Sequence, residues 1–214
     1  IKILIKMQNI KDKSIKNFKN KTFTIPKYKK EVLIKETNLF CEWYSKKKLP
    51  KNDRNKFTKR FKKITKSLSE NLKLKNNVFV HRDFHISNLM LVKNKIGVID
   101  SQDALLGNRA YDVASLIDDV RLKTSKSLKN KIYKLYIQKQ KKLDEKKFKN
   151  DFEILSVLRN LKIIGIFTRL AIRDNKRDYL KLIPYAWKLI DLRIKQNRIF
   201  DDLSILLKQF FRRK

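Results

Sequence analysis

Glycine is nearly absent from this chain, with three in 214 residues and none before Gly97. No glycine-rich, phosphate-cradling loop can therefore be drawn in its first part. The single cysteine, Cys41, rules out an intramolecular disulfide and any cysteine-based zinc site, and suits a reducing compartment. No apolar run approaches the length of a membrane span. Ile1–Ile10 alternates apolar residues with Lys instead of forming a signal-peptide core, so a cytoplasmic location is the default. Acidic residues are scarce too: 21 Asp and Glu stand against 55 Lys and Arg, a net charge of +34. That imbalance raises nucleic-acid or anionic-membrane binding as a class. Yet the lysines are spread through the whole chain beside many Ile and Asn residues, as on solvated faces. Adhesion to polyanions would then be incidental and abolished by salt.

What the chain does contain is 42% hydrophobic residues, enough at this length for one domain of ordinary size with a buried core. No internal repeat, heptad seam or linker divides it, so residues 1–214 read as a single domain. The most informative stretch is 78–103, VFVHRDFHISNLMLVKNKIGVIDSQD. Val78–Val80, Leu89–Val92 and Ile96–Ile99 each have the length and aliphatic content of a short buried strand. Lys93, Asn94 and Lys95 supply a turn, which predicts a hairpin from the last two. Between the first two lies His81-Arg82-Asp83-Phe84-His85-Ile86-Ser87-Asn88, the kinase catalytic-loop order of H-R-D, four residues and Asn. Phosphoryl transfer needs positioning and charge neutralisation more than covalent help. Asp83 suits a carboxylate that accepts the proton of an attacking hydroxyl. Asn88 and Asp100 suit the hard oxygen donors that Mg²⁺ prefers. His81 and His85 are the only histidines in the sequence.

HRDFHISNLM followed by GVIDSQDALLGNRAYDVASLIDD resembles the aminoglycoside-phosphotransferase-like kinases, a branch of the protein-kinase-like superfamily. ETNLFCEWY (36–44) and LKIIGIFTRLAIRDNKRDYL (161–180) point within it to the bacterial kinases of the anomeric hydroxyl of N-acetylmuramic acid and N-acetylglucosamine. The resemblance implies an α+β, mostly α fold: the C-terminal lobe of a kinase-like protein, with a short β-hairpin carrying the catalytic and metal loops. It implies ATP and Mg²⁺ as cofactors, a small-molecule sugar as partner, no specific nucleic acid, and a place in cell-wall precursor recycling. Asp83 is then the catalytic base, with Asn88 and Asp100 on the metal and Asp103 beside it or one shell out. His81 and Asp112 support the loop, Asp112 by bonding its backbone. Glu42, Trp43, His85 and Arg173 are candidate substrate contacts. Two positions depart from the pattern: Ser101, where an aromatic usually follows the metal Asp, and Ile86, where a small polar residue is common. Neither removes a catalytic group.

The remainder reads as helices. The chain opens in mid-pattern at Ile1, with Ile3, Leu4 and Met7 inward, and shows neither the phosphate-covering loop nor the strand lysine of a kinase's smaller lobe. The expectation is a lobe whose nucleotide-covering partner is missing, and which is inactive alone. Residues 11–28 read as a polar surface connection. Leu33, Phe40, Trp43 and Tyr44 share one helical face. Phe57, Phe61, Ile64, Leu68 and Leu72 mark a second helix after Pro50. Leu128, Ile132, Leu135 and Tyr136 make a third stripe, and residues 152–172 are apolar on nearly all sides. Trp43 fits core packing as well as a sugar contact. Arg169 and Arg173 fit an ion pair with a neighbouring Asp as well as a bound anion. Two rival functions stand beside the sugar kinase: a kinase of another small alcohol (aminoglycoside, choline or homoserine type), and a basic nucleic-acid-associated protein on a kinase-like scaffold.

Overall fold

The computed structural model describes residues 1–195 and 197–211. In chain order its elements are α1 (Lys2–Gln8), β1 (Ser14–Lys16), β2 (Thr22–Thr24), α2 (Lys30–Thr37), a π-helical turn (Phe40–Ser45), α3 (Lys46–Lys48), α4 (Lys51–Glu70) and β3 (Asn76–Val80). There follow β4 (Leu89–Val92), β5 (Lys95–Val98), β6 (Leu105–Asn108), α5 (Ala110–Ile117), α6 (Lys126–Gln138), α7 (Glu145–Arg173), α8 (Ile183–Ile194) and α9 (Asp201–Phe210). The chain is mostly helical, with small antiparallel sheets. It divides into two compact units, Ile1–Lys29 with Lys73–Phe152, and Lys30–Leu72 with Glu153–Lys214.

In the first unit β3 pairs antiparallel with β6, Val80 opposite Leu105. Residues 26–28 run beside β6: the Tyr28 N–H donates to the Leu106 carbonyl at 2.8 Å, and the Leu106 N–H to that of Pro26 at 2.8 Å. Within the stretch expected to be a plain connection, β1 and β2 form a small exposed hairpin. Helix α5 is buried on almost every side, with Ala110, Tyr111, Val113, Ala114 and Ile117 in the core. Its start is fixed by a buried polar relay. Asp151 accepts the N–H groups of Lys73 and Leu74, both at 2.8 Å, and the Asn108 amide at 2.6 Å. Asn108 Oδ1 in turn accepts the Ala110 N–H at 3.0 Å, satisfying a donor that a helix start leaves open. Helix α6 packs on α5 in a different rotation from the one its apolar stripe predicts. Of that stripe Tyr136 is buried as expected, but Leu128 and Leu135 face solvent and Lys129 is buried instead. The Lys129 ammonium bonds the Ile117 carbonyl and lies 3.2 Å from Asp118, closing the C-terminal end of α5. A buried ammonium is tolerated only with such partners, and that bond sets the rotation.

The second unit is built on rings. Phe40 lies 5.5 Å from Phe61, 5.9 Å from Phe57 and 5.7 Å from Trp187, ring centre to ring centre. Phe57, Phe61 and Leu68 are the buried side of α4, in phase with the sequence pattern, and α2 and α9 pack against that helix. Of the helical face expected at Leu33, Phe40, Trp43 and Tyr44, the first two are buried. The chain then widens into a π turn at Phe40–Ser45, which changes the phase: Tyr44 joins the ring cluster against Trp187 and Trp43 is left half-buried. Gly165 of α7 lies under that turn. A Cβ there would come within 2.3 Å of the Leu39 carbonyl carbon and 2.6 Å of the Phe40 nitrogen, so only glycine lets the helix approach.

Candidate active site

The site grows from the end of β3. Val80 is fully buried, and the chain leaves the sheet at His81, also fully buried. Two backbone amides at that exit are taken by one carboxylate: the His81 N–H donates to Asp112 Oδ2 at 2.7 Å and the Arg82 N–H to Asp112 Oδ1 at 3.0 Å. Asp112 is itself fully buried in the first turn of α5, where the helix dipole favours a negative charge. Held in this way, Arg82 takes φ = 73°. Such a conformation is uncommon for a residue with a Cβ and concentrates at functional sites. The turn sends the next side chain, Asp83, out of the core while Phe84 goes in, 1% exposed. The Arg82 guanidinium bonds the Asp103 carbonyl at 3.1 Å and lies over the Tyr28 ring.

Beyond Asp83 the loop folds on itself. The His85 N–H donates to the Asp83 carbonyl at 3.0 Å, and Ile86–Asn88 forms a single 3-10 turn. The Asn88 amide nitrogen donates to the Asp83 carbonyl at 3.0 Å and lies 3.5 Å from Asp100 Oδ2. Its amide oxygen takes part in neither contact. Asp100 reaches the same place along β5: the Ile99 N–H donates to the Asn88 carbonyl at 3.1 Å, and His81 Nε2 lies 3.0 Å from the Ile99 carbonyl, which requires the proton on Nε2. Asp100 also has a positive φ, 70°, and its other oxygen accepts the Gln102 amide at 2.6 Å. His81, Asp83, Asn88, Asp100 and Asp112 thus form one bonded cluster. Asp103 adds its backbone carbonyl, while its side chain is exposed on the following turn.

Among the described residues, no group of three or more His, Cys, Asp or Glu side chains is placed to hold a metal by itself. Asn88 and Asp100 provide two oxygen-bearing side chains. That donor set fits Mg²⁺, which takes one or two carboxylates and completes its shell with phosphate and water oxygens.

The other expected contacts fare differently. His85, expected as a substrate contact, is buried, 7% exposed. Glu42, Trp43 and Arg173 belong to the second unit. Glu42 is exposed and lines an open depression with Arg54, Lys59 and Lys62. Arg173 is exposed and bidentate to its neighbour Asp174, at 2.7 and 2.9 Å, the ion-pair alternative. That hydrogen-bonded pairing raises the arginine and holds Asp174 below the usual carboxylate range.

The hairpin of β4 and β5 pairs Leu89 with Val98 and Leu91 with Ile96, closed by Lys93 and Asn94 at φ = 45° and 60°, the left-handed pair that a tight hairpin turn requires. Both strands were read as buried. Instead Met90, Leu91, Val92 and Ile96 are exposed, Leu91 by 71%, because among the described residues the ribbon has two strands and no sheet neighbour. Asp119 went unnoticed in the sequence: it accepts the Ile86 N–H at 3.0 Å. Only the acidic doublet after an apolar helix could have drawn attention to it.

Residues 19–140, more than half of the chain, match the model of the APH family, described as the phosphotransferase enzyme family. The chain is 35% identical over 168 residues to an N-acetylmuramate/N-acetylglucosamine kinase of Neisseria meningitidis serogroup B, covering 75% of this chain and 50% of that protein. A Pseudomonas aeruginosa protein of the same name is 31% identical over 189 residues, covering 86% and 56%. One from Caulobacter vibrioides is 33% identical over 120 residues, covering 54% and 33%. The chain spans about half the length of the first two of these curated relatives. The protein therefore belongs to the phosphotransferase enzyme family.

Proposed function

We propose that this chain carries the catalytic and metal-holding residues of an ATP- and Mg²⁺-dependent kinase. Its acceptor is a sugar hydroxyl, specifically the anomeric hydroxyl of N-acetylmuramic acid or N-acetylglucosamine. The observation that carries the reading is the bonded cluster in which Asn88 bridges the Asp83 backbone and the Asp100 carboxylate. The names of relatives at 31–35% identity support the choice of acceptor. Asp83 orients the attacking hydroxyl and takes its proton, a general-base role that needs a carboxylate held at the edge of the core. Asn88 and Asp100 hold the metal, with Asp103 nearby. When bound, Mg·ATP supplies the phosphoryl group and the positive charge that offsets the developing negative charge on it. Asp112 and His81 act only by holding the loop and the end of β5 in register. In the cell this reading gives a cytoplasmic enzyme of cell-wall precursor recycling.

The test is phosphoryl transfer from Mg·ATP to the two sugars, run with the chain in its longest open reading frame and with the 214 residues alone. The shorter form is included because its three glycines offer no phosphate-covering loop, and it is expected to be inactive by itself. Transfer by the longer form, lost on Asp83→Asn, is the expected result. Absence of transfer to either sugar, with Mg·ATP bound, would move the acceptor to another small alcohol.

A further inference from the structure

The 3-10 turn Ile86–Asn88 has no cap of its own. Its preceding residue, His85, makes no side-chain capping bond, yet the first amide of such a turn needs an acceptor. That acceptor comes from 33 residues further along the chain: Asp119 Oδ2 takes the Ile86 N–H at 3.0 Å. The other oxygen, Oδ1, takes the Arg121 N–H at 3.0 Å and its guanidinium at 3.3 Å. Asp119 is 3% exposed, so its charge is desolvated and its hydrogen bonds are strong and directional. It lies just past the end of α5, whose first turn carries Asp112. The two carboxylates thus grip the loop on either side of Asp83, Asp112 at residues 81 and 82 and Asp119 at residue 86. The helix end between them is closed separately by Lys129 on Asp118.

We propose that Asp119 is a positioning residue for phosphoryl transfer. Through the Ile86 N–H it fixes the turn that aims Asn88, and so governs metal affinity at the site. This rests on the reading of Asn88 as a metal-holding residue. The side chain of Ile86 is 41% exposed, so the bond orders a surface turn more than it packs a core.

The experiment compares Asp119→Ala, Asp119→Asn and Lys129→Met in the longest open reading frame. It measures melting temperature, transfer rate against Mg²⁺ concentration, acceptor KM, and hydrogen exchange of the Ile86 amide. Asp119→Ala should raise the Mg²⁺ concentration for half-maximal rate about tenfold or more, leave acceptor KM within about twofold, and speed Ile86 exchange at least tenfold. Asp119→Asn keeps one oxygen acceptor and should fall between, which keeps the comparison available should the alanine variant not fold. Lys129→Met weakens the same helix end without touching the loop; it should lower the melting temperature and leave the Mg²⁺ dependence unchanged. Wild-type exchange at Ile86 in a folded Asp119 variant would overturn the proposal, as would a lowered melting temperature with unchanged Mg²⁺ dependence. If the unaltered protein transfers no phosphate, the kinase reading fails, while the exchange comparison still decides whether Asp119 holds the turn.

Discussion

Asp100 combines two unusual properties, a left-handed backbone at φ = 70° and an exposed carboxylate beside Asn88. A left-handed residue with a Cβ costs about 1 kcal/mol or somewhat more. Glycine would relieve that strain but loses roughly 0.5–1 kcal/mol through its freer unfolded state. The exposed bond to Gln102 adds at most about 1 kcal/mol. These terms nearly cancel, so Asp100→Gly should shift the melting temperature by no more than about 3 °C while abolishing Mg²⁺-dependent transfer. Calorimetry beside a transfer assay checks both, and a large destabilisation would mean that Asp100 is there to hold the fold. Cys41 tests burial in the other unit. Burial pushes its thiol up to about 12, so at pH 8 its thiolate is about a thousandfold scarcer than in an exposed cysteine. Native protein should react with an aromatic disulfide reagent at least a hundredfold more slowly than protein in urea; equal rates would place Cys41 at the surface. At this scale the sequence was most legible where a residue's partner is local or its spacing is a motif, as for the proximity of Asp83, Asn88 and Asp100. Asp119 and Asp151 were opaque because each satisfies backbone amides far away in sequence, and nothing in a local pattern encodes that.

Among the elements, the π turn at Phe40–Ser45 and the close approach of α7 depend on one another within the second unit. Gly165→Ala should cost about 3 kcal/mol, at the upper end for an overpacked site, because the clash is with backbone that cannot rotate away. Denaturant unfolding measures it; a loss under 0.5 kcal/mol would show that the approach is looser than the structure has it. Helical periodicity identified α4 because that helix lays one continuous apolar face inward. It misjudged two places for separate reasons. In α6 a lysine with two buried partners outweighs the leucine stripe. In the β4–β5 ribbon, apolar residues on both faces read the same whether the strands are covered or not.

The molecule as a whole carries a charge of +34, which governs how it meets polyanions more than how it folds. If that charge is an incidental feature of solvated faces, binding to random-sequence DNA should be detectable at low salt. It should then fall about a thousandfold between 50 and 200 mM salt, the behaviour of a protein that contacts several phosphates and reads no bases. Titration of a fluorescent duplex at several salt concentrations checks this. Sequence-dependent affinity that survives 200 mM salt would favour the nucleic-acid-associated reading. Among the described residues no helix is long and apolar enough to cross a membrane. The most direct measurement remains phosphoryl transfer from Mg·ATP to N-acetylmuramic acid and N-acetylglucosamine, made with the longest open reading frame and its Asp83→Asn variant. Transfer to the anomeric hydroxyl that falls at least a thousandfold in the variant is the expected result. Transfer that persists undiminished in Asp83→Asn would contradict the assignment of the loop as the catalytic centre.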